Sequence, residues 1–250
     1  MSDVSPPLQI LGCPIHPHTQ DELLDWARDC VESGEPHRHV CMSAAKLQRL
    51  QRDSALRRAV ISADRVSADG MGVLVAARSL GLVPPPRVTG IALFLRLARL
   101  ARDEDWGIYL LGARPGVAFA TANKLQHALP GLRIVGADHG FHDDDALVAE
   151  RIRQAAPQLL FVAMGTPRQE LFQHRWAAHM QVPLCMGVGG SFDVVTNDKR
   201  RAPPLLGDRG LEWLYRFVQE PGRLWRRNLL EHGAFLGLLA KASLSRRLRR

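Results

Sequence analysis

Three short apolar runs in the second half of the chain each break into glycine and then into a helical pattern, and this rhythm limits the fold more than any other feature. Ile108-Tyr109-Leu110-Leu111 ends at Gly112, and helical spacing resumes after Pro115. Leu159 to Ala163 runs to Gly165, followed by a helix from about Pro167 to His179. Pro183 to Met186 runs into Gly187-Val188-Gly189-Gly190. Runs that are apolar at successive positions suit strands covered on both faces, as in a parallel sheet between helices. Leu132 to Val135 reads as another strand, with a helix from Asp144 to Ala156 after it.

The first half carries the same alternation less plainly. Thr19 with Glu22 forms a capping box before the Leu23/Leu24/Trp26/Ala27 face, and Gly34 stops that helix. His39 to Met42 reads as a strand, and Ala44 to Ala63 as helical with a break near Asp53-Ser54. A short strand, Asp64 to Ser67, leads into Ala68-Asp69-Gly70, and Met71 to Leu80 is helical. Pro84-Pro85-Pro86 makes a rigid connector, and helix resumes from about Ile91 to Arg102. Beyond Gly210 the pattern is helical and basic only. The expectation is an α/β parallel-sheet core over 1–210 and a basic helical appendage over 211–250.

Charge is concentrated in that appendage. The whole chain carries a formal +8. Between 211 and 250 nine Lys/Arg face three Asp/Glu, so most of the excess sits there. Such a tail calls for an anionic partner. Its arginines are interleaved with Trp213, Phe217, Trp225, Phe235 and many leucines, which suits amphipathic helices on an anionic bilayer. A helical hairpin packed on the core would have a similar pattern. Nucleic acid is not favoured, because no aromatic platform or RNA-binding signature accompanies the charge. The longest apolar run near the tail, Gly233 to Ala240, is far short of the ~20 residues of a membrane-spanning helix. The N-terminus has no signal-peptide pattern, and the expected location is cytoplasmic and peripheral. Cys13, Cys30, Cys41 and Cys185 are far apart and lack metal spacing, so free buried thiols and no metal are expected.

The three glycine-rich strand ends are the natural place for a ligand. Glycine lets the backbone approach a diphosphate closely, and the next helix presents its free N–H groups. One such loop alone also suits an ordinary strand-to-helix turn. Three together, two of them with a nearby arginine (Arg114, Arg168), favour a nucleotide. None has the P-loop or the GxGxxG spacing. Asp69, at a strand end, suits either a turn-capping role or a general base. Arg87 suits either a surface position or a bidentate phosphate clamp. Lys199-Arg200-Arg201 reads as a basic loop, and Glu170 and Glu212 read as structural partners for nearby arginines.

Taken in order, Ala68-Asp69-Gly70-Met71-Gly72-Val73, Arg87-Val88-Thr89-Gly90, Leu111-Gly112, Gly165-Thr166-Pro167-Arg168-Gln169-Glu170, Gly187 to Asp193, Arg201-Ala202-Pro203 and Gly210 to Arg216 resemble the WecG/TagA/CpsF glycosyltransferases (glycosyltransferase family 26). The resemblance runs from about residue 38 to about 230. It implies a Rossmann-like core with a C-terminal appendage that helps complete the site at the membrane. It also implies inverting transfer from a UDP-sugar to a polyprenyl-diphosphate-linked sugar on the cytoplasmic face, in cell-surface polysaccharide synthesis. No metal or other cofactor is implied, and self-association is compatible.

By position, the resemblance makes Asp69 the catalytic base and Arg87 a phosphate- or substrate-contacting residue. Gly112, Gly165, Arg168, Gln169, Gly189 and Asp193 fall in the nucleotide-sugar loops. Arg216, Arg223 and Arg226 match appendage arginines that meet diphosphate groups. Three positions depart from the family pattern. Cys41-Met42-Ser43 stands where Thr-x-Asn is usual, Ala92 replaces an Asp, and Asn197 replaces a Gly. The first change removes a hydroxyl and an amide near the expected sugar pocket, so the donor sugar stays open. A non-catalytic binding subunit of a polysaccharide assembly remains the alternative.

Overall fold

The computed structural model describes residues 6–196. The basic appendage, the 210/211 boundary, the Lys199-Arg200-Arg201 loop, Glu212 and the arginines at 216, 223 and 226 lie outside them.

The chain opens with a small antiparallel hairpin, β1 (Leu8–Ile10) and β2 (Cys13–Ile15). Then follow α1 (Gln20–Ser33), β3 (His37–Met42), α2 (Ala44–Arg49), α3 (Ser54–Ile61), β4 (Arg65–Ala68), α4 (Met71–Ser79) and α5 (Gly90–Asp103). The second half runs β5 (Gly107–Gly112), α6 (Val117–Ala128), β6 (Arg133–Asp138), α7 (Asp145–Ala155), β7 (Leu159–Ala163), α8 (Arg168–Met180), β8 (Leu184–Gly187) and α9 (Ser191–Val195). The local signals act as expected. Thr19 and Glu22 form the reciprocal capping box of α1, Gly34 ends it in the left-handed region, and Asp53 caps α3 where the helical run breaks.

Strands β3 to β8 form one six-stranded sheet, ordered β4-β3-β8-β7-β5-β6, with every pair parallel. This is the Rossmann-like α/β core. Side chains alternate between two apolar faces, which explains the unbroken apolar runs. Ile108, Leu110, Leu159 and Phe161 meet α1, α5 and α6 on one face. Tyr109, Leu111, Leu160 and Val162 meet α7 and α8 on the other. A further cluster packs Val40, Met42, Val66 and Ala68 of β3 and β4 against α2, α3, α4 and the hairpin.

The β4 edge is covered twice, which blunts its open hydrogen-bonding groups. His16 N donates to Val66 O at 2.8 Å near the start of the strand, and Val88 N donates to Ala68 O at 2.8 Å at its end. His16 Nδ1 accepts the Val66 N–H at 3.0 Å, a contact that only the neutral ring makes. Burial pushes the His16 imidazole down to about 4, and burial pushes the fully enclosed His39 down to about 3. The folded protein therefore refuses protons that the unfolded chain takes up below the usual 6.5. Stability from these two rings is complete above pH 6.5 and is lost as pH falls toward 4 for His16 and toward 3 for His39. The thermal midpoint should drop over this window. His16→Gln, which keeps an acceptor that does not titrate, should flatten the slope; an unchanged slope would remove His16 from the account.

Candidate functional site

Because the strands are all parallel, their carboxyl ends share one edge of the sheet. This is where ligands bind in open α/β folds, especially where the strand order reverses. Here β5 leads outward to β6 while β7 returns on its other side, and β3 leads to β4 while β8 lies on its other side.

Asp69 follows the last residue of β4. Its backbone N–H donates to Met42 O at 2.7 Å, which ties the ends of β3 and β4 together. Gly70 then turns with φ 85° and ψ 158°, a conformation that suits glycine, and opens α4 with no side-chain cap. Arg87 pairs with Ala68 in a parallel bridge on the outer side of β4. Beyond it, α5 begins at Gly90 directly beside the Asp69 carboxylate. A methyl group on Gly90 would lie 3.7 Å from Asp69 Oδ2 and 3.4 Å from Cys41 Sγ. The two motifs around Asp69 and Arg87 are thus brought into one place. Asp69 and Arg87 are both half-buried, and the first turn of α5 offers partial positive charge beside the carboxylate.

The other expected residues within 6–196 lie along the same edge. Gly112 is required by close approach: a Cβ there would sit 2.5 Å from the Ala163 carbonyl carbon, at φ 135°. The next residue, Ala113, receives the Gly140 N–H at 2.9 Å, so the ends of β5 and β6 pack tightly. In the Ser191-Phe192-Asp193 segment, Ser191 Oγ donates to Val188 O at 2.7 Å, and Phe192 is buried beside Phe94. These anchors leave Asp193 half-buried at the start of α9. Arg168 Nη2 donates to His142 O at 3.1 Å and lies 3.8 Å from the Asp145 carboxylate. It therefore links α8 to the loop before α7.

Gln169 is almost fully enclosed, at 3% exposure. Its Oε1 accepts both Gly165 N and Gly189 N at 3.1 Å, while Nε2 donates to Glu170 Oε1 at 2.8 Å. Its amide thus braces the β7 and β8 loops against each other. Glu170 corrects the expectation of an arginine partner, because it pairs with Lys46 at 2.7 Å. Lys46 was not legible as a site residue. The available signal was its place in the buried stripe of α2, beside Leu47 and one turn before Leu50. Ser43, at a family-divergent position, caps α2 by accepting the Lys46 N–H at 3.2 Å.

Two large apolar residues near the β5 and β6 ends were also missed. Phe119, in the first turn of α6, is 64% exposed, and Phe141, just after Gly140, is 67% exposed. All four cysteines are free and buried. Among the described residues, no helix is long and apolar enough to cross a membrane.

Comparison with known proteins places the chain among glycosyl transferases. The model of the Glycosyl transferase WecG/TagA/CpsF family matches residues 8–249, so it takes in the N-terminal hairpin and almost all of the basic tail. Two similar proteins come from Bacillus spizizenii (strain W23) and Bacillus subtilis (strain 168). Each is named N-acetylglucosaminyldiphosphoundecaprenol N-acetyl-beta-D-mannosaminyltransferase. Each is 34% identical over 168 residues, covering 67% of this chain and 65% of the relative. The match thus spans just under two thirds of the relatives' length.

Proposed function

The chain belongs to the WecG/TagA/CpsF glycosyltransferase family, and on that premise we propose that it moves a hexose, N-acetylhexosamine or its uronic acid from a UDP-sugar to a polyprenyl-diphosphate-linked sugar. The observation that carries the reading is the half-buried Asp69 carboxylate beside Gly90 and the Arg87 segment, on the edge that also holds the Gly112, Gly165 and Gly189 loops.

Transfer is a single displacement in this reading. Asp69 takes the proton of the acceptor hydroxyl, whose oxygen attacks the anomeric carbon. The bond from that carbon to the diphosphate oxygen breaks, UDP leaves with the electron pair, and the anomeric configuration inverts. The glycine loops and uncapped helix starts of α6 and α8 favour the diphosphate. Phe119 and Phe141, both exposed near the β5 and β6 ends, are available to stack on the base. Arg87 and the tail's Arg216, Arg223 and Arg226 meet the growing negative charge, a role that a metal ion fills elsewhere.

The relatives' names make N-acetylmannosamine the first donor sugar to try and N-acetylglucosaminyl-diphosphoprenol the first acceptor. A screen of UDP-sugars with a short-chain lipid-linked acceptor should show UDP release that depends on both substrates. Donor or acceptor binding without any release would instead support a non-catalytic subunit.

The acceptor class calls for a membrane surface, and the basic tail supplies an attraction to one. Truncation near Gly210 should abolish sedimentation with anionic liposomes, while the full chain binds them in a salt-sensitive way. A truncated core that still sediments would rule the tail out as the anchor.

A further inference from the structure

We propose that Lys46 and Glu170 are positioning residues that couple the donor-side loops to the Asp69 loop across the middle of the sheet. The inference rests on the transfer reading above. Both side chains are enclosed, Lys46 at 6% and Glu170 at 2% exposure. Folding stability gives a weak reason for such a pair, because a well-packed apolar pair of similar size often serves as well or better. What the pair does supply is a continuous polar connection between four strand ends.

Glu170 Oε1 gathers three donors. They are Lys46 Nζ at 2.7 Å, Gln169 Nε2 at 2.8 Å and Thr166 Oγ1 at 3.3 Å. Gln169 in turn holds the Gly165 and Gly189 amides at the ends of β7 and β8. Gly187 leaves room for this brace, since a Cβ there would lie 2.5 Å from Gln169 Nε2. In the other direction, Lys46 Nζ donates to Cys41 O at 2.8 Å. Cys41 is one residue before Met42, whose carbonyl receives the Asp69 amide. The Cys41 thiol also lies beneath Gly90, next to the Asp69 carboxylate. A displacement needs base, anomeric carbon and leaving group at fixed separations, and about 1 Å of misplacement can cost roughly 10²-fold in rate.

The test is the double variant K46M/E170Q. Methionine keeps the length of lysine, and glutamine keeps an acceptor for Gln169 and Thr166. Both charges go together, so neither is left buried and uncompensated. The expected result is a folded protein in which amide hydrogen exchange at Gly165, Gly189 and Asp69 accelerates together. Its kcat should fall roughly 10²-fold, with donor KM within about threefold of wild type. Faster exchange at Gly165 and Gly189 without Asp69, or wild-type kcat in the folded variant, overturns the proposal. Wild-type protein that turns over no UDP-sugar removes the transfer reading, and the exchange pattern alone then decides the coupling. If the double variant does not fold, Glu170→Asp, which keeps both charges but shortens the reach to Lys46 and Gln169, is read by the same exchange pattern and kcat against KM.

Discussion

Asp69→Ala is expected to lower the transfer rate by roughly 10²–10⁴-fold, the range for losing a positioned general base. An acceptor hydroxyl is a poor nucleophile while it keeps its proton, so a base at the attacking oxygen acts mainly in the transition state. The effect should appear in kcat, with donor KM nearly unchanged, because the donor loops lie on other strands. The backbone at Asp69 is held by the hydrogen bond to Met42 O and by the β3–β4 pairing. Truncation should therefore leave a folded protein, which circular dichroism and the thermal midpoint would verify. Asp69→Asn, with similar volume and no basic oxygen, should be impaired to a similar degree. Turnover near wild type in either variant, with the chemical step limiting, would sink the assignment.

How far the site was legible depended on the range of the interactions that make it. The strands β5, β7 and β8 were readable because both faces of the sheet are covered, so nearly every residue in them is apolar. The Asp69 and Arg87 motifs were readable as motifs, but what joins them is a bridge between Ala68 and Arg87, segments distant in sequence. The β1–β2 hairpin escaped notice because its turn is Leu11-Gly12, with φ of 52° and 72°. Leucine is a rare choice for the first positive-φ position of such a turn, where Asn or Gly would have marked it. Glu170 was assigned to arginines because those were its neighbours in sequence, whereas its partner Lys46 comes from a helix after β3. Arg168, placed among nucleotide contacts by resemblance, spends one of its donors on the His142 carbonyl, a contact no spacing rule could show. Local patterns thus specified the elements and long-range pairing specified the polar connections between them.

Arg87→Ala should cost roughly 10²–10³-fold in kcat, comparable to the loss of a donor aimed at charge that develops in the transition state. The leaving UDP gains negative charge on its diphosphate as the sugar departs, and an arginine fork matches two of those oxygens at once. The loop has backbone supports besides that side chain. Its backbone is fixed by the Ala68–Arg87 bridge and by the Val88 N–H donated to Ala68 O. Truncation therefore removes the guanidinium and leaves Thr89, Gly90 and the start of α5 in place beside Asp69. Arg87→Lys keeps the charge but loses the planar fork, so it should recover only part of the rate. A donor with a better leaving group needs less help with that charge, and the Arg87→Ala deficit should shrink with it. A deficit that is the same for good and poor leaving groups, or that appears only in the thermal midpoint, would place Arg87 in the framework of the loop and take it out of the chemistry.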